Sequence, residues 1–251
     1  MTATATYLYA ICRPVPDSRL AGLRGIDAAP VRMIEDDRIA CLVSTVDLAS
    51  FGEQALRANL EDLDWLQRVA YEHDAVVRAG AALTTTAPLR LATVCTDDDA
   101  VRARLRDVQA EATELLASLD GRTEWGVKLL ATTRETEHAP VAAQSGTAYL
   151  QQRKAAKATR ELAAATGLRQ AEDVYTYLLD SAVAGRRHRP QDEKLSGLHH
   201  PMLLNAAFLV ECDAVDEFRR SVDDVARSLP ADALVLTGPW PPYSFATLDD
   251  S

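Results

Sequence analysis

The sequence predicts an α+β protein of two domains, and three observations carry that reading. Short apolar runs with strand-type residues alternate with segments whose apolar residues recur every three to four positions. The pattern restarts after Asp120-Gly121, a turn signal at the end of a helical stretch. Taken by itself, the second half runs strand, helix, weak strand, strand, helix, strand. The expected domains are residues 1–121 and 122–251, the second ending in the segment GPWPPYSF.

Residues 5–12, ATYLYAIC, are apolar on both faces and rich in aromatics, as a central strand is. Residues 31–35 and 39–46 read as two more strands, with Asp36-Asp37 at the turn between them. A helical region at 52–80 carries Leu63, Leu66, Ala70, His73 and Val77 on one face. A strand is expected over 89–95, after Pro88. Thr96-Asp97-Asp98-Asp99 then starts a helix, because its carboxylates cap orphan amides and favour the positive helix end. Val101, Leu105, Val108, Ala112, Leu115 and Leu119 line the apolar face of that helix, and Asp120-Gly121 ends it.

In the second half, residues 124–131 read as a strand. A helix is expected over 145–184, broken near Gly167. Residues 185–201 are polar, with two prolines and two glycines, and read as a long exposed loop with a strand surviving at its start. Residues 203–212 form a strongly apolar strand. Val215, Phe218, Val222, Val225 and Leu229 mark an amphipathic helix, and 234–237 close the pattern as a short strand. This is the βαββαβ order of a ferredoxin-like domain, modified by an enlarged helix and loop in its middle.

The chain has 251 residues, of which 47% are hydrophobic and 25% charged, the balance of a soluble globular protein. That excludes a mostly disordered, collagenous or membrane-embedded chain. The longest clean apolar runs are about nine residues, half of what a membrane-spanning helix needs. The opening MTATATYLYAICRP has no basic region before its apolar stretch, so it does not resemble a signal peptide. A cytoplasmic protein without membrane contact is expected. A net charge of −10 argues against general nucleic-acid binding. Cys12, Cys41, Cys95 and Cys212 form no CxxC, which leaves zinc or redox motifs without local support. Cys12, Cys41 and Cys212 lie in apolar runs and read as small buried hydrophobes. Within 151–200 the charge balance reverses, with nine basic and six acidic residues. Arg153, Lys157 and Arg160 share one helical face there. That face is either solvated or a basic patch for an acidic protein partner.

No GxGxxG, GxxxxGK[ST], HExxH or GxSxG is present. His73, in Tyr71-Glu72-His73-Asp74, lies on the apolar stripe of its helix. It reads as a core or boundary histidine, or as a general base if a pocket and an orienting partner surround it. His188, His199 and His200 fall in the polar loop near Asp192 and Glu193, and a metal site there would need the loop held in fixed geometry. Glu124 and Lys128 lie on one face of their strand. Arg90, at the start of an apolar strand, is expected to sit in a structural salt bridge, since a buried Arg must be paired. No catalytic residue, metal ligand or cofactor is expected. The least ordinary segment is GPWPPYSF, residues 238–245. Its three prolines remove three backbone donors, so it reads as a stiff extended piece that continues neither a helix nor a central strand. Trp240, Tyr243 and Phe245 must then dock on the protein's own core or on a partner.

With this segment the chain resembles the GvpF/GvpL family of gas vesicle proteins, and the resemblance spans nearly the whole length. TYLYAI near the start is similar to the family's Tyr-rich opening strand. Trp65 followed by Tyr71-Glu72-His73-Asp74 is similar to its W…H segment. Thr85-Thr86-Ala87-Pro88-Leu89-Arg90-Leu91-Ala92-Thr93-Val94 resembles its PLRFGT stretch, with Leu91 and Ala92 in place of Phe and Gly. Glu124-Trp125-Gly126-Val127-Lys128 matches its EWGVK strand. Tyr149-Leu150 with Arg153-Lys154 resembles its YL..RK helix start, and Asn205-Ala206-Ala207-Phe208-Leu209-Val210 its NAAYLV strand. The resemblance implies two α+β domains, the second a modified ferredoxin fold. It also implies a non-enzymatic accessory or minor structural protein of gas vesicle assembly, associated with the vesicle. Its partners would be the small hydrophobic shell protein and other accessory proteins. Trp240, Tyr243, Phe245, Arg153, Lys157 and Arg160 are the candidate partner-binding positions. Trp65, His73, Arg90, Glu124, Trp125, Lys128 and Asn205 are candidate structural motif positions. A ferredoxin-like small-molecule sensor or regulatory protein stays open as the alternative and requires a polar pocket. An enzyme would require a histidine to meet a carboxylate in a cleft.

Overall fold

Strand β1 (Thr4–Cys12) is buried after its first residue, as its apolar composition on both faces requires. It takes antiparallel partners on both edges. On one edge lies β3 (Ile39–Asp47), and β2 (Arg32–Asp36) continues the sheet beyond it through a turn at Asp37, whose φ is +52°. On the other edge β1 is shared by β4 (Thr86–Pro88), opposite Ala10, Ile11 and Cys12, and β5 (Val94–Cys95), opposite Thr6 and Tyr7. The sheet order is β2-β3-β1-β4, with β5 also on β1. The single strand expected over 89–95 is therefore interrupted. Residues 89–93 leave the sheet with Ala92 at φ +63°. The Leu89 N–H to the Tyr9 carbonyl and the Leu8 N–H to the Thr93 carbonyl, both at 2.9 Å, fasten the two ends. This structure is a computed structural model that describes residues 3–131, 146–190 and 201–247.

Helices follow β3: α1 (Leu48–Phe51), α2 (Glu53–Asn59) and α3 (Leu63–Leu83). The helical region expected at 52–80 is thus broken at residues 60–62, where the Asp62 side chain accepts from the Asp64 and Trp65 amides and caps α3. Buried on α3 are Val69, His73, Val76, Val77 and Gly80. Leu63, expected inward, lies about a quarter turn from the centre of that stripe at 100° per residue, and is 77% exposed. The cluster beneath α3 contains Tyr7 and Tyr9 but also Ala10 and Cys12. A register shift in β1 between Leu8 and Ala10 changes which residues face it. Next come α4 (Asp98–Asp107), capped by Asp97 onto the Ala100 amide, and α5 (Gln109–Leu119). They replace the one helix expected, because Val108 at φ −100°, ψ 8° breaks it.

The second sheet contains β6 (Arg122–Leu130), β7 (Ala184–Arg187), β8 (Met202–Glu211) and β9 (Leu234–Trp240), in the order β7-β8-β6-β9. Helix α6 (Gly146–Leu179) joins β6 to β7, and α7 (Val215–Arg227) joins β8 to β9. Counted within this sheet the strand order is 2-3-1-4. Its core takes Trp125, Val127 and Leu129 from β6, Phe208 and Val210 from β8, Phe218 and Val222 from α7, and Ala171, Val174 and Leu178 from α6. The expected break at Gly167 is absent. The helix runs straight through, and a Cβ there would stand 2.9 Å from Leu203 Cδ2, so the glycine serves close packing. Strand β9 runs three residues past its expected end, through Gly238 and Pro239 to Trp240. It is an edge strand, where a proline's missing N–H is tolerated. Cys212, expected buried, is exposed just past the end of β8.

By contacts the chain divides into one unit of residues 1–124 with 239–251 and another of residues 125–238. The closing segment, expected within the second domain, groups with the first unit. Among the described residues, no helix is long and apolar enough to cross a membrane.

Candidate functional site

The closing segment is anchored to the first unit by its even-spaced and proline positions. Pro241, Pro242 and Phe245 are buried, and burying a ring such as Phe245 contributes about 1.5–3 kcal/mol. The Tyr243 N–H reaches the Pro241 carbonyl at 2.8 Å and the Phe245 N–H the Pro242 carbonyl at 3.0 Å, which curls the chain after the prolines. Glu124, buried at the start of β6, takes both donors of Ser244. The backbone N–H reaches Oε2 and the hydroxyl reaches Oε1, each at 2.7 Å. A buried carboxylate must be satisfied in this way. Sequence spacing placed Glu124 and Lys128 on one face of β6; the carboxylate of Glu124 in addition holds the closing segment as a strap through Ser244.

Beneath the strap lies an aromatic cluster. His73 is 3% exposed, with its ring 5.8 Å from Tyr7, 5.5 Å from Tyr9 and 6.5 Å from Tyr243. Its Nδ1 is 3.0 Å from Tyr7 Oη, and Tyr7 Oη also accepts the Ala92 N–H at 3.0 Å, so the 89–93 excursion is tied to this cluster. Tyr9 Oη accepts the Ile26 N–H at 2.8 Å and lies 2.7 Å from Ser44 Oγ. Nε2 of His73 is buried and makes no hydrogen bond of good geometry among the described residues. Burial holds the imidazole pKa down at about 4, against the opposing pull of the Asp74 carboxylate. Burial likewise raises the Tyr7 and Tyr243 phenols. His73 is therefore a neutral core residue at neutral pH, not a poised base.

Two rings of the strap face outward. Trp240 is 36% exposed and Tyr243 37%. Both are held against α3: the Tyr243 hydroxyl donates to Asp74 Oδ1 at 3.2 Å, and the Arg78 guanidinium lies 4.3 Å over the Trp240 ring. Asp74 and Arg78 pair with each other one turn apart. Tyr71, 78% exposed, stands one turn before Asp74. At 100° per residue, Leu63, Tyr71, Asp74 and Arg78 lie within about 80° on the helix. Tyr71, Tyr243 and Trp240 thus form an exposed aromatic row along one face of α3. Trp240 and Tyr243 were singled out from the sequence as candidate contacts; Tyr71 and Asp74 were named only as part of the motif around His73, and Arg78 not at all, although their spacing of three and four residues is legible as one face.

The remaining positions named from the sequence lie elsewhere in the chain. Trp65 stacks at 5.3 Å from Phe51. Trp125 is buried in the second core, 6.4 Å from Phe218. Lys128 is half-buried on β6. The Asn205 side chain donates to the Arg189 carbonyl at 3.2 Å, and its backbone carbonyl accepts the His188 N–H at 2.7 Å. Arg90, expected buried, is exposed in the 89–93 excursion. Arg153 and Lys157 are exposed on α6, with Lys157 3.8 Å from Glu161; position 160 belongs to the same helix, but the Arg160 side chain is outside the described residues. His188 is exposed, and His199 and His200 lie outside the described residues. Among the described residues, no group of three His, Cys, Asp or Glu side chains could hold a metal ion. A cavity of about 360 Å³ opens near Thr6, Arg32, Thr45 and Asp97 to Asp99. Arg32 is bound to Asp98 at 2.6 Å, so its charge is already neutralised.

A family model described as "Gas vesicle synthesis protein GvpL/GvpF" matches residues 5–247. The chain is 40% identical over 246 residues to "Gas vesicle protein L" of Streptomyces sp. (strain CB03234), covering 96% of this chain and 92% of the relative. It is 30% identical over 255 residues to "Gas vesicle protein F" of the same strain, covering 96% and 99%. Its fold is similar to the crystal structure of gas vesicle protein GvpF from Anabaena sp. PCC7120, with a TM-score of 0.71 at 21% identity and coverage of 98% and 97%. The GvpF structure from Microcystis aeruginosa is similar at a TM-score of 0.65 and 24% identity, covering 97% and 99%.

Proposed function

The chain belongs to the GvpL/GvpF family of gas vesicle synthesis proteins, and from that membership we propose that it is an accessory or minor structural protein of gas vesicle assembly. In this reading it acts without catalysis or a cofactor. It binds the small hydrophobic shell protein and other accessory proteins, and it works in the cytoplasm at the vesicle, with neither nucleic acid nor membrane as a partner.

The observation that carries the reading is the division of labour within the closing segment. Pro241, Pro242, Ser244 and Phe245 anchor it, while Trp240 and Tyr243 stay more than a third exposed beside Tyr71. Rings held in place with one face in water are suited to meet an apolar partner. Shell subunits present apolar faces before they assemble, and an aromatic row can cover or nucleate such faces. Arg153, Lys157 and Arg160 give a second, electrostatic contact for the acidic partners among the accessory proteins. The 2-3-1-4 strand order and two connecting helices of the second sheet support a modified ferredoxin-like domain over residues 122–238, with α6 as its enlargement. The first 121 residues, joined by the closing segment, form the other α+β domain.

A pull-down tests the reading. Purified, folded chain is expected to capture the major gas vesicle shell protein, and a heat-unfolded sample is not. Failure of the folded chain to capture it, with the other accessory proteins supplied, contradicts the assembly role.

A further inference from the structure

Helix α6 spans 34 residues, about 51 Å at 1.5 Å per residue. Among its described residues, the buried ones are confined to the C-terminal half: Gly167, Ala171, Val174 and Leu178. Every described side chain from 151 to 164 is exposed, including Leu162. This arm carries four basic residues and one acidic residue over positions 146–166, in a chain whose net charge is −10. Seven alanines in the same stretch make it a strong helix former without tertiary support. On the helix, Arg153, Lys154 and Lys157 lie on one side, and Ala158, Leu162 and Ala165 on the side next to it. The arm therefore offers cations beside a shallow apolar strip.

The first unit carries the complementary surface at the corner between α2 and α3. Residues 60–64 read Leu-Glu-Asp-Leu-Asp, and all five are exposed. Asp62 is occupied as the cap of α3, while Glu61 and Asp64 flank Leu60 and Leu63, two of the exposed large hydrophobics. Carboxylates thus stand beside leucines here as cations stand beside an Ala/Leu strip on the arm.

We propose that the α6 arm of one copy docks on the α2–α3 corner of a second copy. The contact joins two different surfaces, so it is heterologous: each copy keeps one free arm or one free corner, and association continues beyond a dimer unless it closes into a ring. Pairing of opposite charges supplies orientation and salt dependence, and Leu60, Leu63 and Leu162 supply apolar area.

Sedimentation velocity on the full chain tests this. In about 20 mM salt the weight-average mass is expected to rise with concentration, and at about 500 mM salt, where the screening length is a few ångströms, to return to the monomer. An Arg153→Glu/Lys157→Glu variant and a Glu61→Lys/Asp64→Lys variant are each expected to stay monomeric. An equimolar mixture of the two should associate again, because each reversed surface then meets its opposite. All four positions are exposed, so the arm variant should melt as wild type, and the corner variant only a few degrees lower, because Asp64→Lys puts a cation in the first turn of α3. If a double reversal lowers the melting temperature by more than a few degrees, Lys157→Gln and Asp64→Asn replace it, each expected to weaken association about two- to fivefold. A wild-type chain that stays monomeric in low salt up to about 200 µM overturns the proposal. So does association that survives both reversals, or a mixture that stays monomeric.

Discussion

His73 shows how burial decides the chemistry of a single side chain. Its pKa is held at about 4 in the folded chain, against about 6.5 when the chain is unfolded. Between those values the unfolded state takes up a proton that the folded state refuses. Stability is therefore complete above about pH 6.5 and falls by about 3 kcal/mol as the pH drops to about 4. Urea unfolding across that range should show the loss in wild type and a flatter profile in His73→Gln; equal slopes would refute the assignment. Asp98 and Asp120, whose carboxyls are held below their ordinary range, add their losses at lower pH. Glu124 shows the other side of burial. It accepts two hydrogen bonds from Ser244, and Glu124→Gln can satisfy only one of those donors. The variant is expected to lose about 1–3 kcal/mol in urea unfolding, and an unchanged midpoint would mean that the strap is held elsewhere. The apolar setting of His73 was legible in its helical spacing. The role of Glu124 was not, because Ser244 is 120 residues away and no local pattern joins them.

At the scale of elements, periodicity located strands and helices well and their interruptions poorly. The central strand, the hairpin partner after Asp37, the capped start of α4 and the amphipathic α7 follow from residue pattern and cap chemistry. The excursion at 89–93 does not, since Leu89 and Leu91 continue an apolar run, while a tertiary tie of Ala92 to Tyr7 and a turn bond from Thr93 to the Arg90 carbonyl hold it out of the sheet. Gly167 reads as a helix break, yet it is packed against Leu203, a contact invisible in sequence. The proline-rich close reads as a stiff extended piece, yet it curls after Pro242, and that curl decides which rings face inward. That curl leads to a prediction for the strap as an element. Phe245→Ala should lower stability by about 3 kcal/mol or more, as large-to-small changes in a core do, with a clear fall in melting temperature. A Phe245→Ala chain that melts like wild type would show that the strap adds nothing to the first core.

For the whole molecule, the composition excluded membrane-embedded and disordered chains, and the motif set pointed to the family that the whole-length match establishes. The sequence pattern restarts after Asp120-Gly121, while the contacts group residues 1–124 with 239–251. The last residues return to the first unit, as only long-range contacts can reveal. Through that return the first unit is built from both ends of the chain, and the aromatic row on α3 exists only because of it. In the proposed function this row, with Trp240 at its end, is what meets the shell protein. Titration of purified shell protein against wild type and Trp240→Ala, with melting curves for both, measures that contact. The partly exposed ring should be removable at a cost of a few degrees in melting temperature at most, while shell-protein affinity falls at least about tenfold, as for an interface anchor. Equal affinity in a Trp240→Ala chain that melts normally would contradict the account.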